Sequence, residues 1–398
     1  MDTSRKAVVI GGGPAGLVAA ARLAAGGTET TLLEAGSHLG GRAASERRGG
    51  FDLNQGPHAL YVGGPAKREL DALGIELPMW NPTSIHSVFL REGRARRSLG
   101  GSSGLVRWLA AVARAEPGEL SALSTNEWLR QSIRSRSSRA AAAALVRVTT
   151  FVADHDALSA DVAATQLKIG LWPGVRYLRG GWQSLVGALA DAAEQRGATL
   201  RTRAAVRAVN GESDGWTVAL DEETLRADVL IVAAGGPEAT AKLLGEQAPS
   251  APGPAAELSV LDLGLKKPPR RTRFALGVDA PTYLSRHSPP GHPGGTLLTL
   301  ASYAREPRPA LEAVAEAVQP GWREQVTLER FLPRMVPVSA IATPASGGLT
   351  GRPNGDRGDG LYLAGDWVGP EGWLVDAAIA SGAAAAAAAL RRPVPALA

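Results

Sequence analysis

The 398-residue chain contains no cysteine. Without thiols it can form no disulfide, thiolate metal site, iron–sulfur cluster or dithiol redox pair. Any redox reaction that the chain catalyses therefore depends on a bound cofactor.

Lysine is scarce as well: only six of the 43 basic residues are lysines, and the rest are arginines. With 38 acidic residues, the formal net charge is +5. The basic clusters at 91–97, 130–139 and 266–273 are short and contain no interleaved aromatic residues, unlike a platform for single-stranded nucleic acid. We therefore predict no nucleic-acid partner and a solvated surface. An anionic substrate or a peripheral membrane contact is the alternative role for these clusters.

Long apolar runs are also missing. A membrane-spanning helix needs about 20 apolar residues, and the nearest candidate, 375–390, is mostly alanine and carries Asp376. The first residues lead directly into a predicted strand and lack the apolar stretch and cleavage site of a signal peptide. These absences predict no transmembrane segment and a cytoplasmic location.

The N-terminal sequence predicts a compact β-α-β unit. Residues 6–11 predict a buried strand, 17–25 a helix of small residues, and 30–34 a second strand. The stretch 67–189 is predicted to be mostly helical. Further strands are predicted at 199–209, 215–220, 227–233 and 361–366 and within 257–299, and further helices at 310–317 and 376–391.

A glycine motif, G-x-G-x-x-G, lies between the first strand and the first helix as Gly11, Gly13 and Gly16. Glycines in this pattern permit a tight turn, close approach of a pyrophosphate and close packing of helix on strand, and the helix N-terminus attracts phosphate. Glu34 follows the first glycine by 23 residues, the spacing of a carboxylate that binds ribose hydroxyls. Its charge disfavours NADP.

Three further stretches favour FAD over NAD. Arg42, after Gly40 and Gly41, can neutralise the pyrophosphate from the other side. The stretch 51–60 contains a Gly-Pro-His turn. Asp366 ends a predicted strand, where it can accept a hydrogen bond from a ribityl hydroxyl, and the helix that begins near 372–374 points its positive end towards negative charge on the flavin.

These residues resemble the flavin-containing amine oxidase superfamily, especially its phytoene-desaturase-like and protoporphyrinogen-oxidase-like branch. The matching stretches, in the order of the family, are VVIGGGPAGLVAAARLAAGG with LLEA, GGRA, FDLNQGPHAL, YLRGGWQSLVGALADAAEQRGATL, ADVLIVAAG and LYLAGDWVGPEGWLVDAA. The resemblance implies an α/β fold with a discontinuous Rossmann-type FAD-binding domain and an inserted α+β substrate-binding domain. The first would comprise 1–66, 190–255 and 345–398, and the second 67–189 and 256–344.

The resemblance also implies roles in FAD binding. Val206 would contact the adenine, Asp366 would hold the ribityl chain, and Leu374 would lie beside the flavin. The predicted cofactor-binding residues are Gly11, Gly13, Pro14, Ala15, Gly16, Glu34, Ala35, Gly41, Arg42, Gly56, Pro57, His58, Val206, Ala234, Gly365, Asp366, Gly372, Trp373 and Leu374.

No catalytic residue can be assigned from the sequence, and two candidates remain open. Trp373 either faces the substrate, as one of the two aromatics that cage the amine in many members of the superfamily, or packs on the final helix. His58 either bonds the substrate and moves a proton, or bonds backbone within its turn. His287 and His292 are predicted to lie in a loop.

The sequence departs from the superfamily's pattern in one respect. Many members use a lysine bridged by water to the flavin, and no lysine here takes that position convincingly.

Asp154, His155 and Asp156 resemble metal ligands, but no second cluster supports them, so we predict no metal.

We therefore predict that the protein transfers a hydride from a C–H bond of a mostly apolar small molecule to FAD. The product would contain C=C or C=N, and oxygen or a quinone would accept the electrons, because no second G-x-G-x-x-G unit offers an NAD(P)H site. An amine oxidase producing hydrogen peroxide, a redox-neutral isomerase or cyclase, and a flavin-stabilised binding partner without turnover are the alternatives.

Overall fold

The computed structural model describes residues 5–82, 86–98 and 103–392. The strands are β1 (Lys6–Ile10), β2 (Glu29–Leu33), β3 (Ser45–Arg48), β4 (Phe51–Asn54), β5 (Leu60–Tyr61), β6 (Met79–Trp80), β7 (Ser87–Arg91), β8 (Arg94–Arg96), β9 (Val175–Leu178), β10 (Thr199–Arg201), β11 (Ala208–Glu212), β12 (Gly215–Ala219), β13 (Thr224–Ala227), β14 (Val229–Val232), β15 (Ala256–Leu265), β16 (Phe274–Gly277), β17 (Thr282–Arg286), β18 (Thr296–Ser302), β19 (Val326–Val338) and β20 (Leu361–Leu363). The α-helices are α1 (Pro14–Ala25), α2 (Pro65–Ala72), α3 (Ser103–Arg114), α4 (Thr125–Ser132), α5 (Arg136–Thr150), α6 (Ala160–Leu171), α7 (Gln183–Glu194), α8 (Pro237–Leu244), α9 (Arg308–Val318) and α10 (Val375–Arg391).

A parallel sheet of five strands has the order β10-β2-β1-β14-β20. This is the doubly wound order, and β1 lies where the strand order reverses. Helices α1, α7 and α10 cover one face, and β12 contributes Trp216 and Val218 to the apolar cluster on the other. Because both faces are buried, the central strands β1 and β14 are almost entirely apolar rather than alternating.

A second sheet, of seven strands, has the order β19-β15-β18-β17-β16-β7-β8. It is mixed: β16 and β7 are parallel, and the other neighbouring pairs are antiparallel. Helix α9 packs on it, while helices α3 to α6 form a separate apolar cluster that contains Trp108, Trp128 and Trp373.

The predicted α/β class and Rossmann-type core are confirmed, with two corrections to the elements. The stretch 67–189 is mostly helical, as predicted, but it also contains four short strands that were not predicted, β6, β7, β8 and β9. The strand predicted at 199–209 ends at Arg201, since Arg203 N donates to Gly36 O and Ala204 N to Glu34 O, which bends the chain around the turn after β2.

The domain boundaries remain a prediction, and their last residues, 393–398, lie outside the described ranges. Among the residues that the structure does describe, no helix is both long and apolar enough to span a membrane.

Candidate cofactor and substrate site

The glycine loop after β1 is held by close backbone contacts. A Cβ on Gly11 would lie 2.3 Å from Ala233 O, and one on Gly16 would lie 1.9 Å from Gly11 O, so neither position can carry a side chain. Gly13 differs, because a Cβ there would meet only Gly40 O, at 3.9 Å. Helix α1 begins at Pro14 with no side-chain cap. This open space beside an uncapped helix N-terminus fits a pyrophosphate.

Glu34 is fixed beside this loop. Its Oε2 accepts from Gly12 N at 2.8 Å and its Oε1 from Gly36 N at 2.6 Å. Val206 lies in the irregular segment between β10 and β11, half-buried, and Ala234 follows β14. The predicted ribose and adenine residues thus border the carboxyl end of the parallel sheet, which is where ligands bind in open α/β folds.

Arg42 and Asp366, both predicted to bind the cofactor, form an ion pair. Arg42 Nη2 lies 2.7 Å from Asp366 Oδ1, and Arg42 Nη1 lies 3.1 Å from Asp366 Oδ2, which also accepts from Ser339 N. Burial alone would raise the pKa of Asp366, but the Arg42 charge and the hydrogen bonds from Arg42 and Ser339 outweigh it and lower that pKa. The carboxylate is therefore charged and oriented at neutral pH.

Arg352, which no sequence motif marks, fixes the segment between β20 and α10. Its buried guanidinium donates to the carbonyl oxygens of Asp366 (3.0 Å), Glu371 (3.1 Å) and Gly372 (3.0 Å). Burial lowers the pKa of Arg352 to about 10, so the side chain stays charged. The segment ends at Leu374, whose φ of 57° lies in a strained region and which precedes the first turn of α10.

The structure contradicts the substrate-facing interpretation of Trp373. The side chain is 1% exposed, and its Nε1 donates to Thr150 O at 2.9 Å. It packs among the apolar residues of α4 to α6. Trp373 is therefore a packing residue that joins the start of α10 to this group of helices.

His58 is bonded within its turn. Its Nδ1 lies 2.9 Å from Gly56 O and its Nε2 3.1 Å from Arg42 O, and its ring lies 4.8 Å from that of Trp182. Burial lowers the pKa of His58, although the two carbonyl contacts oppose this shift. The neutral ring has one N–H and donates it to one of these two carbonyls, as in the second of the two predicted roles, yet the ring also lines a cavity.

The cavity, of about 240 Å³, lies beside His58. It is enclosed by three segments that are distant in sequence: the region of β3 and β4, the end of β9 with the turn after it, and the loop between β17 and β18. Its lining residues are Arg47, Phe51, Asp52, Asn54, His58, Tyr177, Leu178, Arg179, Gly180, Gly181, Trp182, His287, Ser288, Pro289, His292 and Leu297. Sequence reasoning missed this cavity because no local pattern joins the three segments.

Tyr177 and His287 form the inner wall. Their rings stack at 4.5 Å, and Tyr177 Oη lies 2.9 Å from both Tyr283 Oη and Ser285 Oγ. Burial, with a smaller contribution from His58, lowers the pKa of His287 to about 3, so its ring is neutral. His287 and His292 do lie in a loop, as predicted, but that loop is a wall of the cavity.

The side chains of Asp154 and Asp156 accept hydrogen bonds from nearby residues. Asp154 Oδ1 accepts from the backbone N of Asp156 (3.1 Å) and of Ala157 (2.9 Å), and Asp156 Oδ1 accepts from Asn126 Nδ2 (2.7 Å). Burial lowers the pKa of His155 to about 4. These contacts stabilise the turn before α6.

Comparison with known proteins gives one family. The profile described as "Flavin containing amine oxidoreductase" matches residues 14–390. AofH of Mycobacterium tuberculosis, assigned as a flavin-containing monoamine oxidase, is 31% identical over 261 residues, which are 57% of this chain and 56% of that protein. The phytoene desaturase of Neurospora crassa is 35% identical over 74 residues, 18% of this chain and 12% of that protein. The chain thus spans about half the length of these curated relatives, or less.

Solved structures give the same fold. The cyclohexylamine oxidase of Brevibacterium oxydans superposes with a TM-score of 0.73 at 18% identity, covering 97% of this chain and 99% of that one. At this identity the similarity concerns the fold alone.

Proposed function

This chain belongs to the flavin-containing amine oxidoreductase family and has FAD as its cofactor, and we propose that it oxidises a mostly apolar small molecule by two electrons. A hydride leaves a substrate carbon and a proton leaves the neighbouring atom, which gives a C=C or C=N product. Bound FAD would supply the hydride acceptor, and of the two predicted electron acceptors we propose the quinone, rather than oxygen, as the one that takes up the two electrons afterwards.

One contact carries this proposal. His58 lines the cavity, and its Nε2 lies 3.1 Å from the carbonyl oxygen of Arg42, whose side chain pairs with Asp366. His58 in the cavity wall thus contacts Arg42, and Arg42 in turn contacts Asp366, the carboxylate proposed to hold the ribityl chain. Much of the remaining wall is apolar or aromatic, including Phe51 and Trp182, as expected for a site that binds an apolar molecule and excludes water.

The residues of the chain act here by binding and orienting. Glu34 would hold the ribose, the loop at Gly13 and the uncapped start of α1 the pyrophosphate, and Asp366 the ribityl chain. Arg352 fixes the segment before α10, whose positive N-terminal end stabilises negative charge in front of it. His58 shapes the wall, with its single N–H facing a backbone carbonyl.

An amine oxidase that uses oxygen is the second candidate. Its support is the similarity to AofH over 261 residues. Against it, no described lysine lines the cavity, whereas many oxidases of this superfamily use a lysine at the flavin.

The test begins with the purified protein and its flavin absorption band. The flavin is photoreduced without oxygen and then mixed either with aerated buffer or with the quinone menadione. We expect slow reoxidation by oxygen, over minutes, and fast reoxidation by menadione. Gly13→Ala is the control, since this variant should carry little flavin.

Three other outcomes would overturn the proposal in different ways. Reoxidation by oxygen within seconds shows that the protein is an oxidase, and amine substrates are then screened with peroxide detection to test the amine oxidase alternative. No reaction with either acceptor identifies a redox-neutral isomerase or cyclase. If no flavin band is present and added FAD does not restore one, FAD chemistry of any kind is overturned.

A further inference from the structure

The side chains that line the cavity carry an excess of positive charge. Arg47 and Arg179 are the permanent cations, and Asp52 is the one carboxylate among the described lining residues. Asp52 already lies 3.7 Å from Arg47. The Arg47 side chain is exposed, so this pair is weak, but the two arginines outnumber the single carboxylate, and the net charge of the lining therefore favours an anion.

Arg179 is the unpaired charge at this cavity. It is exposed, and within the ranges 5–82, 86–98 and 103–392 its guanidinium has no ion pair and no hydrogen bond. Some surface arginines have partners, such as Arg207, which lies 2.7 Å from Asp221, whereas Arg179, like Arg357, has none in the described part of the chain and differs from Arg357 in lining the cavity. A guanidinium presents paired donors that match a carboxylate, so a free one at a cavity is suited to that group.

Several neutral polar groups of the cavity wall are already bonded within the protein. The Tyr177 hydroxyl is bonded to Tyr283 and Ser285, and the single N–H of the neutral His58 ring faces a backbone carbonyl. Trp182 Nε1 and His287 Nε2 have no partner among the described residues, but both atoms are buried. Asn54 Oδ1 accepts from Ser45 Oγ and from Trp182 N. Charged recognition of a ligand in this cavity therefore falls to Arg179, while the rings of Phe51 and Tyr177 contact its apolar part.

We propose that the substrate of this site carries a carboxylate on an apolar body and that Arg179 binds this carboxylate. The inference rests on the proposed function in one respect, namely that this cavity is the substrate site. It also predicts that a cationic amine is a poor substrate, because Arg179 would repel an ammonium group and the single carboxylate, Asp52, lies beside Arg47.

The test compares three probes that share a phenyl body and differ in charge: phenylacetate, phenethylamine and 2-phenylethanol. Their binding to the FAD-loaded protein is measured by titration calorimetry at low salt, which does not depend on turnover. We expect phenylacetate to bind at least roughly tenfold more tightly than the other two, and its affinity to fall as salt rises.

Arg179→Gln should lower the affinity for phenylacetate roughly tenfold and leave 2-phenylethanol unchanged. Arg357→Gln is the matched control, because it removes the same charge from an exposed arginine that does not line the cavity. The flavin band and thermal unfolding of each variant establish that it is folded.

Any of three results would overturn this inference. The first is tighter binding of phenethylamine than of phenylacetate, and the second is equal or absent binding of all three probes. The third is an Arg179→Gln variant that binds phenylacetate as tightly as the unsubstituted protein does. Failure of the proposed function looks different, since it appears in the flavin band and in the reoxidation rates. If the protein carries no flavin, the same titration is made on the protein as purified, and the same preference for phenylacetate is expected.

Discussion

Arg42 and Asp366 meet through two N–O contacts of 2.7 and 3.1 Å, although 324 residues separate them in the chain. Arg42 belongs to the short helical turn Gly41–Ala43 after the glycine loop, and Asp366 follows the last strand of the parallel sheet. The pair therefore joins the two segments that the proposed FAD site needs from opposite parts of the chain.

Removing this carboxylate should weaken both folding and cofactor binding. Asp366→Ala leaves Arg42 and Ser339 N without their partner. Because the Arg42 side chain is 42% exposed, we expect the free energy of unfolding to fall by only about 2 kcal/mol, and FAD to dissociate more readily. Urea unfolding and the flavin-to-protein ratio after gel filtration measure the two effects.

The Arg22–Glu69 pair is the control for that experiment. This ion pair is also bidentate, with N–O distances of 2.6 and 2.9 Å, but it joins α1 to α2. Glu69→Gln should lower stability and leave the flavin content unchanged. If Asp366→Ala retained flavin as well as Glu69→Gln does, the assignment of Asp366 to the cofactor site would be wrong.

Gly13→Ala should block the cofactor without damaging the fold. Its new methyl group would meet only Gly40 O, at 3.9 Å, and would otherwise occupy the space assigned to the pyrophosphate. We expect at least a roughly tenfold loss of FAD affinity. Gly187→Ala, in α7, also adds a methyl group with nothing within 4 Å, and should raise stability by about 1 kcal/mol with unchanged flavin content. Equal flavin content in both variants would contradict the pyrophosphate assignment.

Trp373→Phe should affect stability rather than substrate binding. It leaves Thr150 O without its donor, and a buried unpaired carbonyl costs about 1–3 kcal/mol. Trp108→Phe is the matched change, because Trp108 is buried in the same cluster and its Nε1 has no partner among the described residues. A Trp373→Phe variant of unchanged stability but raised KM would restore the substrate-facing interpretation.

Asp376 should make stability depend on pH. Its side chain is fully buried, its Oδ1 accepts from Ala66 N at 2.9 Å, and its Oδ2 has no partner within the described ranges. Burial, with a smaller contribution from the charge of Glu371, raises its pKa to about 7. The hydrogen bond from Ala66 N and the charge of Arg68 oppose this shift. In the folded protein the acid is therefore neutral up to about pH 7, whereas in the unfolded chain it ionises near pH 4.

The unfolded state thus binds fewer protons between pH 4 and pH 7, and stability falls as pH rises through this window. Relative to Asp376→Asn, which does not titrate, the unsubstituted protein should lose about 4 kcal/mol between pH 4 and pH 8. Chemical unfolding of both proteins across this pH range measures the difference. A constant difference would show that Asp376 keeps an ordinary pKa.

The part of the site that is formed by residues close together in the sequence could be predicted from local sequence patterns. The strand, glycine loop and helix at 6–25 occupy contiguous residues, so their spacing alone predicts their geometry, and Glu34 follows from the next strand. Arg352 and the cavity could not be predicted in this way, because their contacts depend on tertiary packing of distant segments. Trp373 was ambiguous for the same reason: a tryptophan beside a cofactor motif has the same local sequence whether it faces the ligand or the core.

The close contact between α1 and α10 has a consequence for biosynthesis. A Cβ on Gly382 would lie 2.2 Å from Ala15 O, so the late helix sits directly against the helix that follows the glycine loop. While the ribosome is still translating the region before β20, β14 has an unpaired edge and α1 an uncovered apolar face. The nascent chain must therefore carry an unfinished Rossmann core, with an open sheet edge and an uncovered helix face, through most of its synthesis.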